Sequence, residues 1–462
     1  MPPKFGTSGL RGLVTELTDE LVADYARAFA TACDTGNRVW VGWDLRPSSP
    51  RIAEAVISAL NAEGLPVVRA GMLPTPALAL AAMSDGSGAV MVTGSHIPAD
   101  RNGLKFYVPE GEIAKSDEER ILGALGRRPG SADAPVSDDG SATEAYVRRY
   151  EAAFGSAALT GLRIGVYEHS SAARDILTMT LRQLGAETVP LARSDSFVPV
   201  DTEAVDADTR AMLQGWCLDH GLDALVSTDG DADRPMVTDE TGRIVPGDVL
   251  GPLTAGFLGA QAICTPVSSN TCVEAMGFGA VHRTKIGSPH VIAEMERVAA
   301  EGAGTEVVGY EANGGFLLGF CAKGPAGPLA PLMTRDSLLP ILAPLARAKA
   351  EGRSLSELVA TLPRRFTAAD RITGIESEDS QAFLRDMTTN AATRAAFFEG
   401  MPPESGTDTT DGLRVSFEGG DIVHLRPSGN APEFRCYAES SDPETAERLV
   451  GTYLAALKNR LS

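Results

Sequence analysis

Hydrophobic positions along this chain fall into two alternating rhythms. Short, nearly continuous apolar runs read as buried strands, and longer stretches with apolar residues three and four apart read as helices packed on them. Thr18 is placed to cap the first helix, with Asp19 and Glu20 in its opening turn and Val22, Tyr25, Ala26 and Phe29 along its apolar stripe. A strand is expected over 38–43. A second helix starts at Ser49, runs to about Ala62 and is stopped by Gly64, after which strands are expected over 66–70 and 88–93. The same grammar then recurs: a strand over 163–167, a helix capped by Ser171 and stopped by Gly185, a strand over 188–191, a helix near 209–218 and an apolar strand over 224–227. Leu60 and Gly64 stand at the first helix end as Leu181 and Gly185 stand at the second. A third round places strands over 261–265, 280–284 and 306–308. Recurrence at about 100 to 130 residues points to duplicated domains and not to a short-period solenoid.

Each round ends on a strand that runs into a polar, unusual loop. The stretch 127–143, rich in Gly, Ser, Asp and Pro, reads as an exposed excursion before a helix over 144–154. Near 366–372 the pattern changes to short strands over 413–417, 422–425 and 435–438, followed by a helix capped by Asp442 with Pro443 at its first position. The expected architecture is α/β: three similar α/β domains with mixed sheets at 1–153, 154–255 and 256–367, and a C-terminal α+β domain at 368–462, their loops converging on one central cleft.

Composition narrows the classes of partner. The chain has 462 residues, 43% hydrophobic and 22% charged, and a net charge of -20 from 41 basic and 61 acidic side chains. That sign argues against nucleic acid or an anionic membrane surface, and any phosphate it binds needs a local basic pocket. The six cysteines, Cys33, Cys217, Cys264, Cys272, Cys321 and Cys436, form no CxxC pair and read as buried thiols in a reducing compartment. Neither a signal peptide nor a membrane-length apolar run is legible, so the expected location is the cytoplasm.

Chemistry concentrates in five short stretches. Val92-Thr93-Gly94-Ser95-His96-Ile97-Pro98 puts a serine at the mouth of a sheet, where free backbone N–H groups meet anions; the plainer reading is that Ser95 caps a following helix. Phe5-Gly6-Thr7-Ser8-Gly9-Leu10-Arg11-Gly12 suits a backbone that wraps an anion, with Arg11 offering its planar fork, or a flexible terminal loop. Asp229, Asp231 and Asp233 are three carboxylates at alternate positions, able to surround a hard cation such as Mg²⁺ or Ca²⁺. An EF-hand would need Gly where Arg234 stands and a helix where a strand precedes. A phosphatase with an attacking Asp stays open, and Arg234 suits either a metal-bound phosphate or an aspartyl-phosphate. Glu311 and Asn313 suit sugar hydroxyls, against a plain Gly-rich turn. Arg426, Ser428, Asn430 and Arg435 could hold a phosphate that is not reacting.

Taken together, these stretches resemble, over the full length and in motif order, the α-D-phosphohexomutase family of phosphomannomutases and phosphoglucomutases. The family's Thr-Ala-Ser-His-Asn-Pro loop reads here Thr93-Gly94-Ser95-His96-Ile97-Pro98, and its Asp-Gly-Asp-x-Asp-Arg loop is intact at 229–234. Its sugar loop is altered to Tyr310-Glu311-Ala312-Asn313-Gly314, and its phosphate loop, Arg426 to Pro432, carries Asn430 and Ala431 in place of Thr and Glu. The resemblance implies a four-domain phosphohexomutase and an isomerase. Ser95 would carry the phosphoryl group beside His96, Lys105 and Arg11 would do acid and base work, and Ser95 with the three aspartates would bind Mg²⁺. Arg234, Lys285, Glu311, Asn313, Arg426, Ser428, Gly429, Asn430 and Arg435 would bind substrate. Ser288 stands where the family often has His or a charged residue, and His290 could replace it. The reaction implied is transfer between hexose 6-phosphate and hexose 1-phosphate through a hexose 1,6-bisphosphate, which also serves as activator. Phosphomannomutase is expected first, with phosphoglucomutase or dual specificity as the alternative, and a metal-dependent sugar phosphatase or a non-catalytic sugar-phosphate binder behind them. Partners are small hexose phosphates, with neither nucleic acid nor membrane, for a monomer or small homo-oligomer.

Overall fold

The first apolar runs build one eight-stranded mixed sheet from β1 (Lys4–Gly6), β2 (Gly9–Leu13), β3 (Val39–Trp43), β4 (Val67–Met72), β5 (Gly88–Val92), β6 (Arg101–Val108), β7 (Gly111–Glu112) and β8 (Val136–Asp138). Its order is β1-β2-β6-β5-β3-β4-β8, with β7 on β6. Strands β5, β3, β4 and β8 run parallel, and β6 turns back antiparallel between β5 and β2. Every residue of β5 is buried, which is why its sequence, Gly-Ala-Val-Met-Val, shows no polar alternation. Helices Asp19–Ala32 and Ser49–Ala62 bury Val22, Phe29, Ile52 and Val56 in one core with Val41, Val90 and Leu104.

This is a computed structural model describing residues 3–6, 9–302, 304–375, 377–427 and 433–461. It divides into two units, Met1–Ile263 with Gly287–Val359, and Cys264–Ile286 with Ala360–Ser462. In the first unit a second sheet, of order β10-β9-β11-β12-β13, is made by β9 (Arg163–His169), β10 (Glu187–Arg193), β11 (Ala224–Thr228), β12 (Pro235–Thr238) and β13 (Ile244–Val245). The boundary between units falls inside β14 (Ala262–Pro266), and β15 (Ala280–Thr284) belongs to the second unit. The first unit then resumes with β16 (Val307–Tyr310), β17 (Phe316–Leu318), the small pair β18 (Ala322–Lys323) and β19 (Pro328–Leu329), and β20 (Leu332–Asp336). Strand β17 is antiparallel to both β16 and β20.

One device recurs three times. Strands β5, β11 and β16 each end in a polar loop, and the chain returns antiparallel as β6, β12 and β17, in registers Val92↔Leu104, Thr228↔Pro235 and Tyr310↔Phe316. The three loops are therefore equivalent by construction. The second unit carries an antiparallel sheet of order β21-β25-β24-β23-β22, from β21 (Phe366–Thr373), β22 (Glu404–Asp408), β23 (Leu413–Phe417), β24 (Ile422–Pro427) and β25 (Glu433–Ser440). Helix Pro443–Leu461 packs on it through Leu449, Tyr453 and Leu457, capped by the Asp442 carboxylate, which accepts from the Thr445 N–H at 2.9 Å.

Several expectations are corrected. Thr18 caps its helix as expected, accepting from Leu21 N–H at 3.3 Å, and the second helix does start at Ser49, whose hydroxyl donates to Asp44 Oδ1 at 2.6 Å. Residue 127–143 is not all excursion: Val136–Asp138 pairs with β4 as an edge strand, and the next helix is Ser141–Phe154. Ser171 lies outside its helix, Arg174–Gln183, and accepts from Ala173 N–H at 3.0 Å. All six cysteines are free; four are buried, but Cys33 is half-buried and Cys321 exposed. Among the described residues no helix is long and apolar enough to cross a membrane.

The two matching helix ends differ in surroundings. Gly64 and Gly185 both adopt left-handed backbone, at φ 84° and 93°. An added Cβ at Gly64 would lie 3.4 Å from Ala132 Cβ, whereas at Gly185 it would lie 2.4 Å from Thr160 Oγ1 and 2.9 Å from the Ser156 carbonyl oxygen. Gly64→Ala is expected to cost the ~1–2 kcal/mol of a left-handed residue with a Cβ, and Gly185→Ala more. Scanning calorimetry should show the lower thermal midpoint for Gly185→Ala; equal midpoints would contradict the assignment.

Candidate functional site

Strand β5 delivers Ser95 one step beyond Thr93 and Gly94, in left-handed backbone at φ 54°. A serine pays for that conformation unless its neighbours hold it. Asp44 starts the chain of support: its Oδ2 accepts from Thr93 Oγ1 at 2.7 Å, and Thr93 Oγ1 accepts in turn from the Ser95 N–H at 2.8 Å. The element that follows is strand β6, not a helix, so Ser95 is no helix cap. Its hydroxyl donates to Asp229 Oδ2 at 2.6 Å and lies 3.3 Å from His96 Nδ1.

The loop 229–234 is the turn of the β11–β12 hairpin, closed by Asp229 N–H to Arg234 carbonyl and Arg234 N–H to Asp229 Oδ1, both at 3.2 Å. Strands flank it on both sides, which rules out an EF-hand. Outside segments fix its backbone: Ala172 N–H donates to Gly230 carbonyl and Thr75 N–H to Asp231 carbonyl, both at 2.9 Å, and Ser337 Oγ donates to Ala232 carbonyl at 2.7 Å. Ala232 itself is left-handed at φ 59°. Asp229, Asp231 and Asp233 are fully buried, with candidate ligand oxygens within 4.8 Å of one another.

Cations occupy one side of that triad and leave the other unserved. Lys105 Nζ donates to Asp231 Oδ2 and Asp233 Oδ2 at 2.6 Å each, Thr75 Oγ1 donates to Asp231 Oδ2 at 2.6 Å, and Arg335 pairs with Asp233 Oδ2 at 2.8 Å. Asp231 Oδ1 and Asp233 Oδ1 are buried and accept no hydrogen bond. Two unserved carboxylate oxygens beside a third carboxylate are the donor set of a hard divalent cation, so the residues present fit a metal. Burial and its two carboxylate neighbours push Asp229 well above the usual carboxylate range. Asp231 is held below that range, because Lys105, Thr75 and Arg335 outweigh its burial. Burial, then Arg234 and Arg11, drive His96 well below 6.5, so its ring is neutral at pH 7. Arg11 is lowered to about 10 by burial and by Arg234 and Arg335, and stays charged.

The third loop, after β16, turns through Gly314, with Asn313 Oδ1 accepting from Gly315 N–H at 3.0 Å. Arg335 reaches from β20 to Glu311 Oε2 at 3.4 Å, so one guanidinium touches both the loop 229–234 and the loop after β16. Arg234 lies 3.7 Å from Asp233 and 4.0 Å from Asp229. Ser288 is buried and donates to Glu112 Oε2 at 2.8 Å, a structural use of its hydroxyl; His290 is half-buried. In the second unit Lys285 is exposed, Arg426 pairs with Asp411 at 3.0 Å and Arg435 with Glu433 at 3.5 Å. Ser428, Gly429 and Asn430 lie outside the described residues. Sequence reading missed Thr75, Arg335 and Ser337. The only signal for the last two was Arg335-Asp336 ending an otherwise apolar strand.

Four domain families match in order. The phosphoglucomutase/phosphomannomutase α/β/α domains I, II and III match residues 2–128, 144–242 and 247–366, and the phosphoglucomutase/phosphomannomutase C-terminal domain matches 375–454. A phosphomannomutase of Sinorhizobium fredii is 45% identical over 474 residues, covering 100% of both chains. A phosphomannomutase of Salmonella muenchen is 43% identical over 465 residues, covering 99% of this chain and 96% of its own. A solved phosphoglucomutase/phosphomannomutase family protein from Burkholderia thailandensis superposes with a TM-score of 0.78 at 22% identity, covering 98% of this chain and 96% of its own.

If the unserved oxygens hold a cation that stabilises charge on a transferring group, Asp231→Asn should cut turnover of hexose phosphate at least about a hundredfold. Calorimetric titration with MgCl₂ should show the matching loss of ion affinity. Full activity in excess EDTA would contradict the metal assignment.

Proposed function

We propose that this chain, which belongs to the phosphoglucomutase/phosphomannomutase family, interconverts mannose 6-phosphate and mannose 1-phosphate by way of a phosphorylated Ser95. It is a phosphohexomutase, an isomerase by class. The preference for mannose is supported by the two phosphomannomutases that align over nearly their whole length. The observation that carries the serine reading is the left-handed Ser95 with its hydroxyl 2.6 Å from the metal-loop carboxylate of Asp229.

In this reading a free hydroxyl of the hexose monophosphate attacks the phosphorus of phosphorylated Ser95. The bond from phosphorus to Ser95 Oγ breaks as the new bond to the sugar oxygen forms, giving hexose 1,6-bisphosphate. The bisphosphate turns end for end, Ser95 Oγ attacks its other phosphoryl group, and the isomeric monophosphate leaves with Ser95 phosphorylated again. Mg²⁺ held by Asp229, Asp231, Asp233 and the phosphorylated Ser95 would neutralise charge on the transferring group. Lys105, on β6 and paired with Asp231 and Asp233, would do the acid and base work on the sugar proton, passing its own proton to a neighbouring carboxylate before it takes the sugar's. Arg11 remains charged at neutral pH and acts as an anion ligand, not as a base. Glu311 and Asn313 would hold sugar hydroxyls, and Arg426, Ser428, Gly429, Asn430 and Arg435, with Lys285, would hold the phosphate at rest.

Ser95→Ala should abolish turnover while leaving the fold intact, and the wild-type protein should carry phosphate on Ser95 in part as isolated. Intact-mass spectrometry and a coupled assay read both outcomes. An active alanine variant together with no phosphate on the wild type under any condition would overturn the reading. Phosphate release faster than isomer formation would point to a phosphatase.

Specificity follows from which hydroxyls stay put. In its two orientations the bisphosphate presents its C3 and C4 hydroxyls at comparable positions, whereas the C2 group moves. A loop that reads O3 and O4 through Glu311 and Asn313 leaves the C2 epimers mannose and glucose without an unpaired buried polar group, the device behind very large discrimination. Both 1-phosphates should turn over within about a hundredfold in kcat/KM, and galactose 1-phosphate, inverted at C4, should fail. Parallel assays under one bisphosphate activator test this; good turnover of galactose 1-phosphate would show that another residue reads the sugar.

A further inference from the structure

The serine turn owes its shape to a side chain that sequence reading passed over. Arg46 is only 1% exposed, and its guanidinium has five N–H donors. All five are used. Nε donates to Asp44 Oδ2 at 3.2 Å, one terminal nitrogen to the carbonyls of Pro98 and Arg101 at 2.7 and 3.0 Å, and the other to those of Ser95 and Ile97 at 2.8 and 2.6 Å. Three of the five acceptors are thus backbone oxygens of the turn between β5 and β6, and a fourth is that of the first residue of β6. The turn wraps so closely that a Cβ on Gly94 would stand 2.6 Å from the guanidinium carbon, so a side chain there would have to displace the guanidinium.

A second domain seals the arrangement. Phe197, in the segment after β10, places its ring centre 4.0 Å from the guanidinium carbon. The same ring comes within 3.1 Å of where a Cβ on Gly230 would stand, and that Cβ would also be 2.8 Å from the Ser95 carbonyl oxygen. Serine turn, guanidinium, aromatic ring and metal loop therefore form one packed stack. A lysine at position 46 could not reproduce it, because an ammonium has three donors on a flexible stem and would strand buried carbonyls.

We propose that Arg46, seated on Asp44 and covered by Phe197, is the positioning residue for phosphoryl transfer: it holds Ser95 in its left-handed place against the metal loop without touching substrate. The inference rests on Ser95 being the phosphoryl carrier. Misplacement of a reacting atom by an ångström can cost about a hundredfold in rate, so the effect belongs in kcat and not in substrate binding.

The experiment compares Arg46→Lys and Phe197→Leu with the wild-type protein, measuring kcat and KM for mannose 1-phosphate, Mg²⁺ affinity by calorimetry, and the single-turnover rate of Ser95 phosphorylation from glucose 1,6-bisphosphate by intact mass. Arg46→Lys should lose about a hundredfold in kcat and in phosphorylation rate, with KM and Mg²⁺ affinity within about twofold of wild type. Phe197→Leu, which keeps all five hydrogen bonds, should show the same signature at about a tenth of the size. A folded Arg46→Lys with wild-type kcat, or a rise in KM with kcat unchanged, overturns the proposal. Should Arg46→Lys not fold, Phe197→Leu decides: a kcat loss at constant KM supports it, and wild-type kcat overturns it. An active Ser95→Ala would instead sink the phosphoserine reading itself, a separate outcome.

Discussion

Lys105 between Asp231 and Asp233 is the interaction on which the arrangement of the first unit's loops depends. The lysine comes from β6 of one sheet and the aspartates from a hairpin of another, and all three are buried. Breaking a buried ion pair by removing one partner costs roughly 3–5 kcal/mol, because the charge left behind has no water to fall back on. Two α/β domains are thereby tied at the place where their loops meet. Arg335 extends the tie to the third α/β domain through Asp233 and Glu311. Charge compensation is therefore also the means of assembly, and loops from three sheets are held in register by the buried charges at their ends.

That assembly explains how two non-glycine residues stay in left-handed backbone. Ser95 and Ala232 each bear a conformational cost of order 1–3 kcal/mol, and each is over-determined by contacts from elsewhere in the fold. Thr93 and Arg46 fix the turn at Ser95; Ser337, Thr75 and Ala172 fix the loop around Ala232. The strain is local while the restraint is spread over several elements. A rigid turn is what phosphoryl transfer asks for, since catalysis of that step is positioning and charge stabilisation more than covalent help from the protein.

What could be read in the sequence follows from how each feature encodes itself. Strand β5 is buried on both faces and so is apolar throughout, and the loops Asp229–Arg234 and Thr93–Pro98 announce themselves because strings of polar residues at strand ends have little structural excuse. Strand β22, Glu-Ser-Gly-Thr-Asp, is exposed over most of its length and carries no alternation to detect. Strand β8 is fully exposed and hides inside a stretch with the composition of a loop. Helix caps misled where a hydroxyl had a tertiary use, as at Ser171, which pairs with Thr228 Oγ1 at 2.5 Å. Thr75, Arg46 and Arg335 were illegible for a different reason: each acts on a loop far away in sequence, and only the packing of sheets reveals the partner.

The same packing bears on how a chain of net charge -20 would meet the doubly charged phosphates of the proposed reaction. Around the triad, Arg11, Lys105, Arg234 and Arg335 face Asp229, Asp231, Asp233 and Glu311, so the site's own side chains nearly cancel. Near-cancellation leaves little to draw an anion against the field of the whole molecule. In the proposed reading a divalent cation on Asp231 Oδ1 and Asp233 Oδ1, which accept no hydrogen bond, would tip the local sum positive at the point where phosphoryl charge must be stabilised. Ion binding and substrate binding would then be coupled through charge. The buried carboxylates, which by themselves look least suited to a phosphate site, would in that reading supply its positive field through the ion they hold.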